Sequence, residues 1–251
     1  MTQEKLVLSE KVDGIAWITL NRPKSMNSLT PAMMHEIRDE IIAAGKDNEV
    51  GVIVVTGTGR AFCTGLDLKS LGNIEFKGGA VGPEYDDYGN GLINAIQSSS
   101  KVVIAMLNGF CFTGGLEILL SFDLIVAAEN AILGDTHAKF GIRPSFGMSQ
   151  RLPRLVGFNK AKEWSFTARN ITAQEAKEAG LINIVVPADK LREEVTLLAG
   201  KILKNSPEAL KAIKHLYNQG WQMTLKEGLE MEAKTSFEIN DTNDRLKDFL
   251  K

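Results

Sequence analysis

The chain has 251 residues, 44% of them hydrophobic, which is enough for one large domain with a packed interior and too apolar for a disordered segment. Its 29 basic residues against 31 acidic ones leave a formal net charge of −2, so no broad basic face exists for a nucleic-acid backbone or an anionic membrane. Cys63 and Cys111 are too few for a disulfide framework, the first five residues hold no apolar signal core, and the apolar stretch 116–128 is broken by Glu117 and Asp123. The expectation is a cytoplasmic protein whose partners are small molecules or other subunits, not nucleic acid or membrane.

In chain order, short runs rich in β-branched residues predict strands at 15–20, 50–56, 102–107, 124–128 and 182–186, with helical segments between them. That alternation gives an α/β fold class. The runs at 50–56 and 102–107 are apolar on both faces, as in parallel strands covered on both sides. Between the first two strands, Met33, Met34, Ile37, Ile41 and Ile42 recur near helical spacing behind Thr30-Pro31, an N-cap followed by a first-turn proline. The stretch 72–91, rich in Gly, Tyr and acidic residues, reads as a mobile loop leading into a helix and placed to cover a substrate. Thr172 with Glu175, and Thr224 with Glu227, have capping-box spacing, and Ser206-Pro207 starts a helix that Gly220 can stop. After Pro187 strand signals give way to helices whose apolar residues, Leu225, Leu229, Phe237, Leu246 and Phe249 among them, outnumber what so thin an element can bury. A core at 1–189 and a helical region at 190–251 that meets another subunit are expected.

Two glycine-bearing loops follow the two most buried strands, Gly57 to Asp67 and Asn108 to Glu117. Glycines there let the backbone approach a ligand and turn N–H groups outward, so that two amides can hold one carbonyl oxygen as negative charge develops on it. Ordinary tight turns explain the same residues equally well. The second loop opens a helix at Gly114-Gly115, adding the positive end of a helix dipole. Glu117, in that first turn among Ile118, Leu119, Leu120 and Phe112, has the apolar setting of a proton-transfer group, or is a carboxylate that complements the dipole. Gly57-Thr-Gly59 lacks the further glycine of a dinucleotide loop, and no Gly-Lys-Ser/Thr follows. No Cys/His/carboxylate cluster has metal-ligand spacing and no serine sits in a nucleophile elbow, so no metal is expected. Of the three histidines, His35 and His215 fall within predicted helices and read as structural, while His137 follows Asp135-Thr136 after a short apolar run. Met148 and Trp164 read as core.

Taken together, Asn21-Arg-Pro-Lys-Ser-Met-Asn-Ser-Leu29, Ala61-Phe-Cys-Thr-Gly-Leu-Asp-Leu68, Asn108 to Glu117 with Asp123, and Gly141 to Leu152 resemble, in order and spacing, the successive signatures of the enoyl-CoA hydratase/isomerase (crotonase) superfamily. The resemblance runs from about residue 10 to 250. It implies a crotonase-like spiral of ββα units followed by a C-terminal helical trimerisation region, a homotrimer or homohexamer, an acyl-CoA substrate and no cofactor beyond the coenzyme A of that substrate. It also implies that the amides of Leu66 and Gly114 form the oxyanion hole. Lys24, Ala61, Leu66 and Lys69 fall at CoA-binding positions, although Lys24 and Lys69 read equally as solvated surface lysines. Phe140, Ile142 and Phe146 are expected in the acyl pocket. Hydratases of the family share a water between two glutamates twenty residues apart; Glu117 matches the first, and the second position is His137, the main departure. With a reference pKa near 6.5 a histidine can serve as acid or base, and it is preferred to Asp135, which an extended backbone would turn away. The C-terminus also departs, ending in Lys251 where the family continues with basic residues. The implied activity is syn hydration of a 2-trans-enoyl-CoA; isomerisation or other enolate chemistry, and an acyl-CoA-binding protein without catalysis, are the alternatives.

Overall fold

A computed structural model describes residues 5–72 and 76–250. Among the described residues, ten strands form two sheets. The larger contains β1 (Val7–Val12), β2 (Ile15–Leu20), β3 (Val52–Gly57), β5 (Val102–Leu107), β7 (Leu124–Ala128) and β10 (Ile184–Val186), hydrogen-bonded in that order. All neighbours in it are parallel except β1 with β2. The smaller sheet joins β4 (Ala61–Cys63), β6 (Phe110–Phe112), β8 (Ile132–Gly134) and β9 (Ile171–Thr172), the last antiparallel. Each long strand β3, β5 and β7 is thus followed by a short strand, β4, β6 and β8, in the other sheet, and then by a helix. Repetition of this step is the spiral of ββα units that the resemblance implied.

The helices are α1 (Pro31–Lys46), α2 (Pro83–Ser98), α3 (Gly114–Leu119), α4 (His137–Phe140), α5 (Met148–Val156), α6 (Phe158–Thr167), α7 (Ala173–Glu178), α8 (Leu191–Leu203), α9 (Pro207–Gly220), α10 (Leu225–Lys234) and α11 (Thr242–Phe249). α1 begins and ends as its sequence dictates, with the Thr30 hydroxyl accepting from the Met33 N–H. Thr224 and Glu227 complete their capping box, whereas the Thr172 hydroxyl accepts from the Glu175 N–H and the Glu175 carboxylate turns instead to Arg169 and Trp164. Of the expected loop at 72–91, residues 73–75 lie outside the described residues. In the remainder the helix begins earlier than the loop reading placed it: α2 starts at Pro83, because Tyr85, Gly89, Leu92, Ile93 and Ile96 give it a continuous buried stripe.

Residues alternate along the long strands between two apolar layers, so both faces are covered. Ile18, Leu20, Ile53, Val55, Val103, Ala105, Ile125 and Ala127 face the layer shared with α1, α2 and the small sheet. Trp17, Val52, Val54, Ile104, Met106 and Val126 face Leu191, Val195, Ala199 and Ile202 of α8. α8 therefore packs as the outer cover of the sheet, although its composition belongs with the helices that follow. Met148 and Trp164 are core, as expected, and Cys63 and Cys111 pack as buried thiols on adjacent strands. Burial pushes the Cys63 thiol up to about 12 against the opposing hydrogen bond of the Gly65 backbone.

Candidate active site

Where the two glycine loops meet, a cleft of about 600 Å³ opens. On one side lies the loop after β4. Gly65 is at φ +88°, a conformation open to glycine, and a Cβ there would stand 3.1 Å from both the Gly114 nitrogen and the Phe112 oxygen. Leu66 next to it pairs in a short parallel bridge with Leu29, which accepts from Asp67 N–H and donates to Gly65 C=O. This pairing uses the Gly65 carbonyl and the Asp67 N–H and leaves the Leu66 N–H out of the bridge, on a residue that lines the cleft. The segment 21–29 braces the loop. Arg22 forms an ion pair with Asp67 at 2.8 Å, and Asn27, fully buried, donates to the Thr58 and Ala61 carbonyls. Burial alone would raise Asp67, but the Arg22 guanidinium holds its carboxyl below the usual range. Asn108 ties the two loops together by accepting from Gly57 N–H and donating to Gly59 C=O.

On the other side, α3 begins at Gly114. A Cβ on Gly114 would lie 3.6 Å from the Leu66 nitrogen, so the two amides border the same space. Thr113, just before it, is at φ 51°, ψ −115°, a strained conformation for a β-branched residue. It is held by its N–H donating to Gly134 C=O at 2.9 Å and by a hydroxyl contact with Thr136. Gly115 must be glycine, since a Cβ would collide with the Cys63 carbonyl. Gly114 N–H, as the first helical amide, has no intrahelical acceptor.

Glu117, one turn further, is 2% exposed. Its apolar neighbours are as expected, yet its carboxylate is not unpartnered: Oε1 accepts from Phe146 N–H at 2.9 Å and Met148 N–H at 3.2 Å, at the start of α5. Oε2 is left facing the cleft and stands 3.5 Å from His137 Nε2. Asp135 departs from expectation. The chain is not extended there, because Thr136 (φ −100°, ψ 12°) turns it into α4, and the turn brings Asp135 Oδ1 to 2.6 Å from His137 Nδ1. Asp135 sits behind the imidazole and does not replace it. Burial by itself lowers the His137 pKa, but hydrogen bonding and charge from Asp135 and Glu117 outweigh it and raise the group to about 9. Asp135 is lowered: burial opposes, and its bonds to His137 and Ser165 prevail.

Lys24, Lys69, Phe140, Ile142 and Phe146 all line the cleft. Phe146 is its buried floor, whereas Phe140 is exposed at its mouth. Ala61 is elsewhere. It is fully buried in β4, its carbonyl is taken by Asn27 and Asn108, and Thr64, just past the end of that strand, lines the cleft instead. The sequence reading also missed Lys139 and Arg143, which line the cleft beside Phe140 and Ile142. Nothing in their spacing marks them, because only the turn at 136–147 brings that segment to the wall.

The enoyl-CoA hydratase/isomerase family model matches residues 10–249. The chain is 38% identical over 232 residues to a probable peroxisomal enoyl-CoA hydratase 1 of Arabidopsis thaliana, covering 92% of this chain and 85% of that protein. It is 35% identical over 254 residues to the crotonyl-CoA hydratase of Syntrophomonas wolfei, covering 100% of this chain and 96% of the relative. The crystal structure of an enoyl-CoA hydratase from Bacillus anthracis superposes with a TM-score of 0.89 at 33% identity, covering 98% of this chain and 96% of that one. By sequence and by fold, the chain belongs to the enoyl-CoA hydratase/isomerase family.

Proposed function

We propose that this protein is a hydro-lyase that adds water across the double bond of a 2-trans-enoyl-CoA, with no cofactor beyond the CoA of its substrate. One observation carries the reading. A carboxylate oxygen and an imidazole nitrogen, 3.5 Å apart, face a cleft whose wall also bears the adjoining amides of Leu66 and Gly114. With the thioester oxygen against those amides, charge moving onto it is stabilised and the β-carbon becomes electrophilic. Glu117 accepts a proton from water, whose oxygen bonds to the β-carbon, and His137 delivers a proton to the α-carbon. The two backbone amides on Oε1 fix the Glu117 rotamer, so Oε2 is aimed before substrate arrives. Lys24 and Lys69 are assigned to the CoA phosphates by charge and position, and Phe140, Ile142 and Phe146 to the acyl chain.

The replacement of a second carboxylate by His137 favours a second reading, enolate chemistry such as double-bond isomerisation, because a cationic imidazole suits proton return to carbon as well as hydration. Product analysis after mixing with crotonyl-CoA distinguishes the two: hydration gives a 3-hydroxyacyl thioester heavier by one water, whereas an isomerase gives a positional isomer of unchanged mass. We further assign 1–189 to the catalytic core and, within 190–251, the helices after α8 to a region that joins three subunits, or six as paired trimers, α8 itself covering the sheet. That assignment rests on the exposed apolar side chains of α9, α10 and α11.

A further inference from the structure

We propose that Asp135 is a positioning residue that fixes the imidazole of His137 with Nδ1–H directed to its own carboxylate, so that Nε2 enters the reaction already carrying the proton destined for the α-carbon. This inference rests on the hydratase reading and deepens it by naming the group that holds His137 in the form of the acid.

The geometry permits little else. Asp135 is buried, with Oδ1 accepting from both His137 N–H at 3.2 Å and Nδ1 at 2.6 Å, so one oxygen holds backbone and ring together. Ser165 of α6 adds a favourable polar influence on the same carboxylate. A carboxylate on Nδ1 requires a proton there, which leaves Nε2 as an acceptor in the neutral ring or a donor in the cation. The charged groups facing the ring from neighbouring elements are Asp135 behind and Glu117 of α3 in front, with Arg151 of α5 acting on Glu117; Lys139 lies on α4 itself, and α6 contributes the neutral Ser165. Two carboxylates flank one imidazole, and a buried site of that composition favours the cation.

The proton account closes. Water gives a proton to Glu117 Oε2 as its oxygen bonds to the β-carbon, and the π electrons move to the thioester oxygen. As the carbonyl reforms, the α-carbon takes the proton from Nε2. Glutamic acid then faces neutral imidazole across 3.5 Å, and transfer from Oε2 to Nε2 restores the starting state.

The test compares wild type with Asp135→Asn and the milder Ser165→Ala. Imidazole NMR of the unliganded protein reads the ring directly. In wild type His137 holds both protons to about pH 9; in Asp135→Asn, with the burial penalty kept and one carboxylate lost, it titrates clearly lower. Ser165→Ala shifts it in the same direction by less. For crotonyl-CoA, kcat in Asp135→Asn falls roughly a hundredfold, within the range general acid catalysis supplies, with KM changed by less than about threefold. The alkaline limb of the rate profile moves down with the NMR titration. An unchanged His137 titration in folded Asp135→Asn, judged by circular dichroism, overturns the proposal. Lack of wild-type turnover while the titration still shifts overturns the hydratase reading and leaves the role of Asp135 intact.

Discussion

Glu117 is held by two backbone amides and faces His137, and each contact predicts something different. Glu117→Gln keeps the shape and the acceptor for the Phe146 and Met148 amides, so the fold should survive. The base is lost, and kcat for hydration should fall by about 10³ or more in steady-state assays. His137 also links pH to stability. Its folded pKa, raised to about 9, lies above the unfolded value near 6.5. The stabilisation is therefore full below about pH 6.5 and lost as pH rises through 9, a change on the order of 3 kcal/mol. Thermal unfolding should show Tm falling between pH 7 and 9.5, and Asp135→Asn should flatten that fall. At this scale motif and spacing singled out Glu117, His137, Leu66 and Gly114, and all four line one cleft. Asp135 was misread because a single bridge-region residue, Thr136, reverses where its side chain points, and no periodicity reveals one dihedral angle. Ala61 was misplaced for a similar reason: the motif marks the segment, but which of its residues faces the cleft depends on the short pairing of β4 with β6.

Between elements, the site depends on two backbones approaching more closely than side chains allow. Gly115→Ala would drive a Cβ into the Cys63 carbonyl, and should destabilise the fold by about 1–3 kcal/mol in denaturant titration. Gly65→Ala instead meets the Gly114 nitrogen at 3.1 Å and forces an alanine to φ +88°. It should lower kcat out of proportion to its effect on stability, because it displaces the amides themselves. The long strands and α1 were readable to within two residues, since strong burial on both faces leaves an apolar run in the sequence. The short strands β4, β6, β8 and β9 were not, since two or three residues carry no period, and the pairing of the small sheet is set by the spiral. Likewise β1, with one buried residue in six, offered no apolar signal.

For the whole molecule, α9 is anchored to the sheet by Lys214, which donates to Asp123 at 2.7 Å and to the Ile96 and Lys101 carbonyls. Burial penalises both charges, and their pairing offsets it. Lys214→Met should cost about 3–5 kcal/mol by stranding the aspartate, and Asp123→Asn in the same chain should recover part of that loss. Beyond α9 much of the apolar surface is uncovered: Leu225 is 80% exposed and Phe249 85%, and no residue of α10 is fully buried, although Phe237 packs edge-on against His215. Sedimentation should therefore report an assembly larger than one chain, a trimer or a multiple of it on the proposed function, and Leu225→Glu with Leu229→Glu should yield smaller species. The apolar surplus of this region was visible in the sequence, whereas the use of α8 as the sheet's own cover was not, because an amphipathic helix does not say which surface it meets.

The central claim is that Glu117 and His137 act as one unit on one substrate. Hydration of crotonyl-CoA measured for wild type, Glu117→Gln, His137→Gln and the double variant tests it most directly. Turnover in wild type, deep loss in each single variant, and little further loss in the double variant is the predicted result, as for groups that share one proton path. Losses that simply add, or a His137→Gln enzyme as active as wild type, would contradict it.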